Sequence, residues 1–323
     1  MPQQTSLDQR TRVRLAAIRG VIGGLSAIAP GAASIVAGAL FRTPPRHRHD
    51  EAEQAALARG ERLDLRLDGR RLAAWRWNSG PPVILVHGWG SRGARLSSFI
   101  EPLGRAGFST IAFDAPGHGD SAGRLSSLPQ FIAALETVVE RLGPPAAVVA
   151  HSMGSAAAAI AMKRGLPARA AVFLAPAADP TAWTTRFASV VGASDAVIGR
   201  MTRAFERKFG YRWTDFNVPR VAAPLMTAPL LVFHDEDDPE VPKTDGEAIV
   251  RAWPGAELVS TRGLGHKRIV HDPEVVRRGV EFLRERAAAV ASPEAAAAPS
   301  GAAGLSGGVG AALLSSGPAR SSR

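Results

Sequence analysis

The stretch Ala146–Ala159, AAVVAHSMGSAAAA, decides the fold. An apolar run, Ala146 to Ala150, ends in His151-Ser152-Met153-Gly154, and an alanine-rich segment follows. That is the strand–turn–helix context of a nucleophile elbow. So sharp a turn needs small residues around its serine, and here they are Ala150, two before Ser152, and Gly154, two after. The usual pattern has glycine at both places. Ala150 keeps the side chain small but gives up free access to positive φ. A helix starting at Met153 would aim its N-terminal N–H groups and positive dipole end at the site. Alone, the motif reads as readily as a serine in an ordinary strand–helix turn, so the flanking sequence has to decide.

Working outward, strands alternate with helices on both sides, which predicts parallel strands joined by helical crossovers. Upstream, Pro82–Val86 reads as a buried strand ending at His87-Gly88-Trp89-Gly90, followed by a helix over 94–106. Thr110–Phe113 is the next strand and runs into DAPGHGDS, residues 114–121. Leu128–Leu142 has Phe131, Leu135, Val138, Val139 and Leu142 near helical spacing, and Gly143-Pro144-Pro145 ends it. Downstream, Ala171–Leu174 is a strand, and an aromatic and arginine-rich segment over 179–227 then interrupts the alternation as an inserted, mostly helical cap. Leu230–Phe233 resumes the sheet, 247–253 is helical, Glu257–Ser260 is the last strand, and 273–289 is the closing helix. Before all of these, Leu63–Leu67 alternates with period two and Asp68-Gly69 signals a hairpin returning through Leu72–Trp77. The expected fold class is therefore α/β, a mostly parallel eight-stranded sheet flanked by helices and carrying a cap.

The chain ends differ from this domain, which is expected over 51–290. Residues 1–50 carry Arg10, Arg12, Arg14 and Arg19, then an uncharged stretch from Gly20 to Phe41, then Arg42, Arg46 and Arg48. The uncharged stretch has the length of a membrane span and a basic leader. Pro30 at its middle and its glycine and alanine content suit two helices broken there. Three readings stay open: a helical hairpin on the domain or on a membrane surface, a single anchor, or a cleaved signal with Ala27-Ile28-Ala29 near its cut. Residues 291–323 are Ala/Gly/Ser/Pro-rich and are expected to be a disordered tail.

Composition narrows the function classes. The 323 residues are 46% hydrophobic and include no cysteine, so disulfides and cysteine-based metal sites are excluded. A net charge of +10 raises the question of nucleic acid or an anionic membrane. With one tyrosine and arginines scattered over surface positions, a solvated surface explains the charge better than a nucleic-acid partner. Neither a dinucleotide fingerprint nor a Walker A loop occurs, so no cofactor is expected. The acidic stretch His234–Pro242 lacks the ligand spacing and bidentate glutamate of an EF-hand calcium loop, so no metal is expected.

The order HGWG, DAPGHGDS, AHSMG, an acidic turn after a strand, and Gly-His after the last strand resembles the α/β-hydrolase superfamily over roughly residues 63–288. The nearest relatives look like single-domain serine hydrolases of the esterase, lipase and aminopeptidase-like groups with a small helical cap. The resemblance implies a Ser-Asp-His chain order. Ser152 is then the nucleophile and needs a base within hydrogen-bond reach. Among 8 histidines, His266 fits best: it follows the last strand, where Gly263 and Gly265 permit a tight loop. His271 is the rival and is expected to begin the last helix. His87 and His118 suit structural hydrogen bonds in their loops. The acid lies in His234–Pro242, and aligning Val241-Pro242 with the relatives' pattern places it on Asp238, with Asp235 and Asp237 as solvated neighbours. The oxyanion hole is expected from the backbone N–H groups of Trp89 and Met153, with the Trp89 indole walling the pocket.

Two classes of function follow. One is a serine hydrolase cleaving a small, fairly apolar ester, or else an amide or thioester. The other is a non-catalytic relative held at a membrane by residues 13–41 and acting in binding. The retained Ser152, Asp238 and His266 favour the first, with a small-molecule substrate. Location is read as cytoplasmic or membrane-associated, and oligomeric state is left open.

Overall fold

The computed structural model describes residues 9–179, 181–222 and 227–287. The expected tail over 291–323 lies outside them. Eight strands, β1 Glu61–Leu67, β2 Arg70–Trp77, β3 Pro82–Val86, β4 Ser109–Phe113, β5 Ala147–His151, β6 Ala170–Leu174, β7 Leu230–Asp235 and β8 Glu257–Thr261, form one sheet in the order β1-β2-β4-β3-β5-β6-β7-β8. β1 and β2 pair antiparallel about the turn at Asp68 and Gly69, and β2 pairs antiparallel with β4. All later pairs are parallel. β3 through β7 are near-continuous Val, Ile, Leu, Ala and Phe, as strands covered on both faces must be.

The helices in chain order are α1 Gln9–Ile28, α2 Pro30–Phe41, α3 Glu51–Ala58, α4 Ile100–Arg105, α5 Leu128–Leu142, α6 Met153–Lys163, α7 Thr181–Val191, α8 Asp195–Phe209, α9 Val218–Ala222, α10 Lys243–Ala252, α11 Gly265–Arg268 and α12 Pro273–Ala287. The expected helix over 94–106 is split: Gly93–Phe99 is 3-10 and only α4 is α-helical. α6 is buried nearly all round, and its run of alanines gives it the narrow girth that a central helix needs. It also sits close on β3. A Cβ at Gly154 would fall 2.5 Å from the carbonyl oxygens of Val86 and His87, so glycine is required there.

Two apolar cores lie on opposite faces of the sheet. One contains Phe113, Phe131, Leu135 and α6; the other contains Phe99, Leu103, Phe233 and α12. A third, smaller core lies away from the sheet, where Ile22 of α1 and Ala33 and Ala37 of α2 pack on Val197 and Met201 of α8. α1 and α2 break at Pro30 and lie against α7 and α8. Among the described residues no helix is long and apolar enough to cross a membrane. The linker after α2 is tied to the domain: the Arg46 guanidinium donates to the carbonyls of Gly117 (3.0 Å), Ser121 (3.1 Å) and Gly123 (2.7 Å).

Candidate active site

β5 delivers Ser152 at the centre of the sheet. Its φ of 53° and ψ of −123° hold a non-glycine residue in a sparsely populated region, a strain of order 1–3 kcal/mol that the surroundings must hold in place. They do so by continuing the strand ladder through the turn: Ser152 N–H donates to the Leu174 carbonyl at 3.0 Å, and the Ser155 hydroxyl donates to the Ala150 carbonyl at 3.0 Å. Gly88 closes over this turn, where a Cβ would lie 2.9 Å from Ser152 Cβ. Trp89 follows Gly88, and Met153 opens α6, where the first N–H groups of a helix lack intrahelical acceptors.

Three sequence-distant side chains meet here. His266 Nε2 lies 3.0 Å from Ser152 Oγ, and His266 Nδ1 lies 2.8 Å from Asp238 Oδ2. The Asp238 side chain is fully buried. Burial opposes its charge, but hydrogen bonds from His266 and from the N–H groups of Val241 and Glu240 outweigh it and hold the carboxyl below its usual range. A charged Asp238 accepts from Nδ1–H and leaves Nε2 facing the serine as an acceptor. His266 sits on α11, reached through Gly263 and Gly265 with φ of 78° and 62°.

The other carboxylates of the turn part company. Asp237 is exposed. Asp235, expected to be solvated, is instead fully buried: it accepts from Thr261 Oγ1 (2.7 Å) and from the N–H groups of Leu264 (3.0 Å) and Asp237 (3.0 Å). These bonds hold its carboxyl low despite burial and pin the His266 loop to the end of β7. His271 ends a 3-10 turn, Ile269–His271, before α12 rather than beginning that helix, and it lies outside the chain of hydrogen bonds to Ser152.

Four buried histidines wire the loops, all with lowered pKa because burial penalises the imidazolium. His87 Nε2 accepts from Ala115 N–H (2.9 Å), and His118 Nε2 accepts from Gly90 N–H (3.0 Å), so DAPGHGDS and HGWG brace one another. In the same loop Asp114 accepts from Gly93 and Asp120 N–H, and burial raises its carboxyl to about 6. His234 donates from Nε2 to the Val241 carbonyl. His151 donates from Nε2 to the His266 carbonyl (2.9 Å) and is pushed down to about 3 by burial and by His266. Sequence reasoning gave His151 no role. Its only signal is adjacency to Ser152, because its partner lies 115 residues away.

A cavity of about 340 Å3 opens on Ser152 and Met153. Trp89, Phe187, Phe205 and Trp213 wall it, together with Leu40 and Phe41 from α2. Phe41 meets Phe187 edge-on at 5.1 Å between ring centroids, closing α2 against the cap. The sequence reading set residues 1–50 apart from the site. Leu40 and Phe41 are in its wall because tertiary packing brings α2 over α8. Arg42 and Arg186 supply the charged lining, and burial lowers the Arg42 pKa. Among the described residues no cluster of three or more His, Asp or Glu is arranged to hold a metal ion.

Residues 83–278 match the pattern of the family described as "Alpha/beta hydrolase family". The chain belongs to that family. This hydrolase is 31% identical over 171 residues to the dihydrolipoyllysine-residue acetyltransferase component of the acetoin cleaving system of Cupriavidus necator, a match covering 52% of this chain and 41% of that protein. The match therefore spans less than half of that relative. Among solved structures, an esterase of Pyrococcus furiosus superposes with a TM-score of 0.59 at 21% identity over 76% of this chain and 99% of that one. A monoacylglycerol lipase of Paleococcus ferrophilus gives 0.53 at 23% over 67% and 99%. Both share the fold of this hydrolase.

Proposed function

We propose that this α/β hydrolase is a serine carboxylic-ester hydrolase that works through an acyl-enzyme. The observation that carries the reading is the unbroken chain Asp238–His266–Ser152, at 2.8 and 3.0 Å, with the serine held on a strained turn beneath an apolar cavity. His266 Nε2 takes the Ser152 proton as Oγ attacks the ester carbonyl. Asp238 holds the imidazole tautomer and stabilises the imidazolium. The developing oxyanion is met by the N–H groups of Trp89 and Met153. Collapse expels the alcohol, which takes the proton from His266, and water repeats the sequence to release the acid. The apolar wall favours an uncharged aliphatic or aryl acyl group over an aminoacyl amide, whose ammonium would lie unpaired against Phe187 and Trp213.

The test is labelling by a fluorophosphonate together with turnover of 4-nitrophenyl esters of increasing acyl length. Wild type should label and turn over, and Ser152→Ala should do neither. Labelling that survives in Ser152→Ala would place the reactive serine elsewhere.

A further inference from the structure

The described residues hold five exposed large apolar side chains, and none lies on the sheet domain proper. They are Val13 (63% exposed), Val21 (54%), Ile28 (83%), Ile35 (74%) and Val190 (40%). Four are on α1 and α2; the fifth is on α7 at the rim of the Ser152 cavity. Helical geometry puts the exposed side chains of α1, and likewise those of α2, on one side of their own helix. At 100° per residue, Val13, Ala17, Val21, Gly24 and Ile28 fall within about 80° of the α1 circumference. Ile18, Ile22 and Leu25, which pack on the cap, lie on the other side. On α2, the exposed Gly31, Ala32, Ile35 and Ala39 likewise oppose the buried Ala33 and Ala37. The hairpin thus has two apolar faces, one packed on α7 and α8 and one turned outward.

Charge selects the occupant. No carboxylate side chain occurs from Gln9 to His49, while this segment carries seven arginines at its ends. A second copy would bring arginine against arginine. Arg19, Arg42 and Arg46 are turned to the protein, whereas Arg12, Arg14 and Arg48 are exposed. An anionic lipid surface would meet these three with opposite charge and take the apolar side chains into its headgroup–acyl boundary.

We propose that the outward face of α1 and α2 docks this protein on the surface of an anionic bilayer, lying on it rather than spanning it. The face adjoins the cavity mouth: Arg19 Nε donates to the Val190 carbonyl at 2.8 Å, and Leu40 and Phe41 continue from α2 into the cavity wall. Docking would set the cavity entrance beside the lipid.

The experiment is co-sedimentation of the full chain with phosphatidylglycerol and with phosphatidylcholine vesicles, at low and high salt, for wild type and for the double variant Ile28→Ser with Ile35→Ser. These side chains are exposed, so thermal unfolding should be unchanged, as should turnover of a short, water-soluble ester. Wild type should pellet with phosphatidylglycerol, less with phosphatidylcholine, and be released by salt. The double variant should bind at least about ten-fold more weakly, each buried aliphatic side chain being worth about that factor or more. No vesicle binding at low salt, or equal binding by the double variant, would overturn the proposal. So would a dimer in lipid-free buffer that the same two substitutions dissociate, because the face would then belong to a second copy. Binding is read without turnover, so this proposal fails or stands separately from the esterase reading.

Discussion

The sheet end that carries Ser152 and the helical layer that roofs it are built by different rules. At the sheet end, buried polar side chains find specific partners in neighbouring loops. His87, His118, His151, His234, Asp114 and Asp235 are buried and tie one loop to another by directed hydrogen bonds, which fix the relative positions of the loops. The roof, made of α1, α2, α7 and α8, is held by small side chains and aromatic edges such as Phe41 on Phe187 and Phe205 on Trp213 (4.9 Å). Directed bonds fix reacting atoms, while apolar contacts shape a volume. The chemistry should therefore depend steeply on single polar groups at the sheet end, and selectivity should depend gradually on the roof.

The steepest expected effect is at Asp238. Asp238→Asn keeps the size of the side chain but favours the wrong tautomer of His266, and kcat should fall by about 10⁴ with near-native thermal unfolding. If Asp237→Asn were the inactive variant instead, the polar chain drawn here would be off by one residue.

Next comes acid. His118 is lowered from 6.5 to about 4 and His151 to about 3, each chiefly by burial. The unfolded chain then binds more protons below pH 6.5, so this stability is complete above pH 6.5 and is lost as the pH falls toward 4 and 3. At about 1.4 kcal/mol per unit, His118 alone accounts for about 3 kcal/mol by pH 4. Asp114, raised to about 6, and Asp245, also raised by burial, work in the opposite direction, but they are two groups against the five histidines His87, His118, His151, His234 and His271, all lowered. Urea unfolding at pH 7 and pH 4.5 checks this, and equal midpoints would contradict it.

Asp235→Ala should destabilise the fold by about 1–3 kcal/mol for each buried N–H or hydroxyl left without an acceptor, read as a lower urea midpoint. A drop in kcat with no change in that midpoint would move Asp235 into the chemistry. On the roof, Phe187→Ala should shift preference among acyl lengths, lowering kcat/KM for long esters by about ten-fold. Its kcat on the acetate ester should hardly change; a large loss there would show that the roof also positions the reacting atoms. The smallest effect is expected for the exposed Asp237: Asp237→Asn should change stability by less than about 0.5 kcal/mol and leave turnover near wild type.

The sequence by itself determined the sheet and the identity of the meeting residues. Alternating runs of Val, Ile, Leu and Ala bounded by Gly and Pro mark strands locally, and eight of them were legible to within a few residues. α5 was legible from Leu128 to Leu142 because its periodicity and its Gly143 stop are both local signals. Ser152 and His266 were legible as candidates because each follows a strand, and parallel strands bring their carboxyl ends to one edge. Asp238 was separated from Asp235 and Asp237 only by the resemblance of Val241-Pro242 to the pattern of the relatives.

Only the tertiary structure decided what depends on contacts between distant segments. Burial of Asp235 rests on Thr261 and Leu264, both more than twenty residues away. Glu53, a charged residue on α3, is 2% exposed because Arg92 Nε donates to it at 2.7 Å. His151 acquires its work from the His266 carbonyl. The uncharged stretch Gly20–Phe41 allowed an anchor, a signal or a hairpin, because hydropathy records how apolar a helix is and not what it packs against. Packing of Ala33 and Ala37 on Met201 and Val197 turned one of its faces into roof and left the other outward. Hydrophobicity acts without direction, so a sequence can state that a surface will be covered while only the assembled neighbours determine by what.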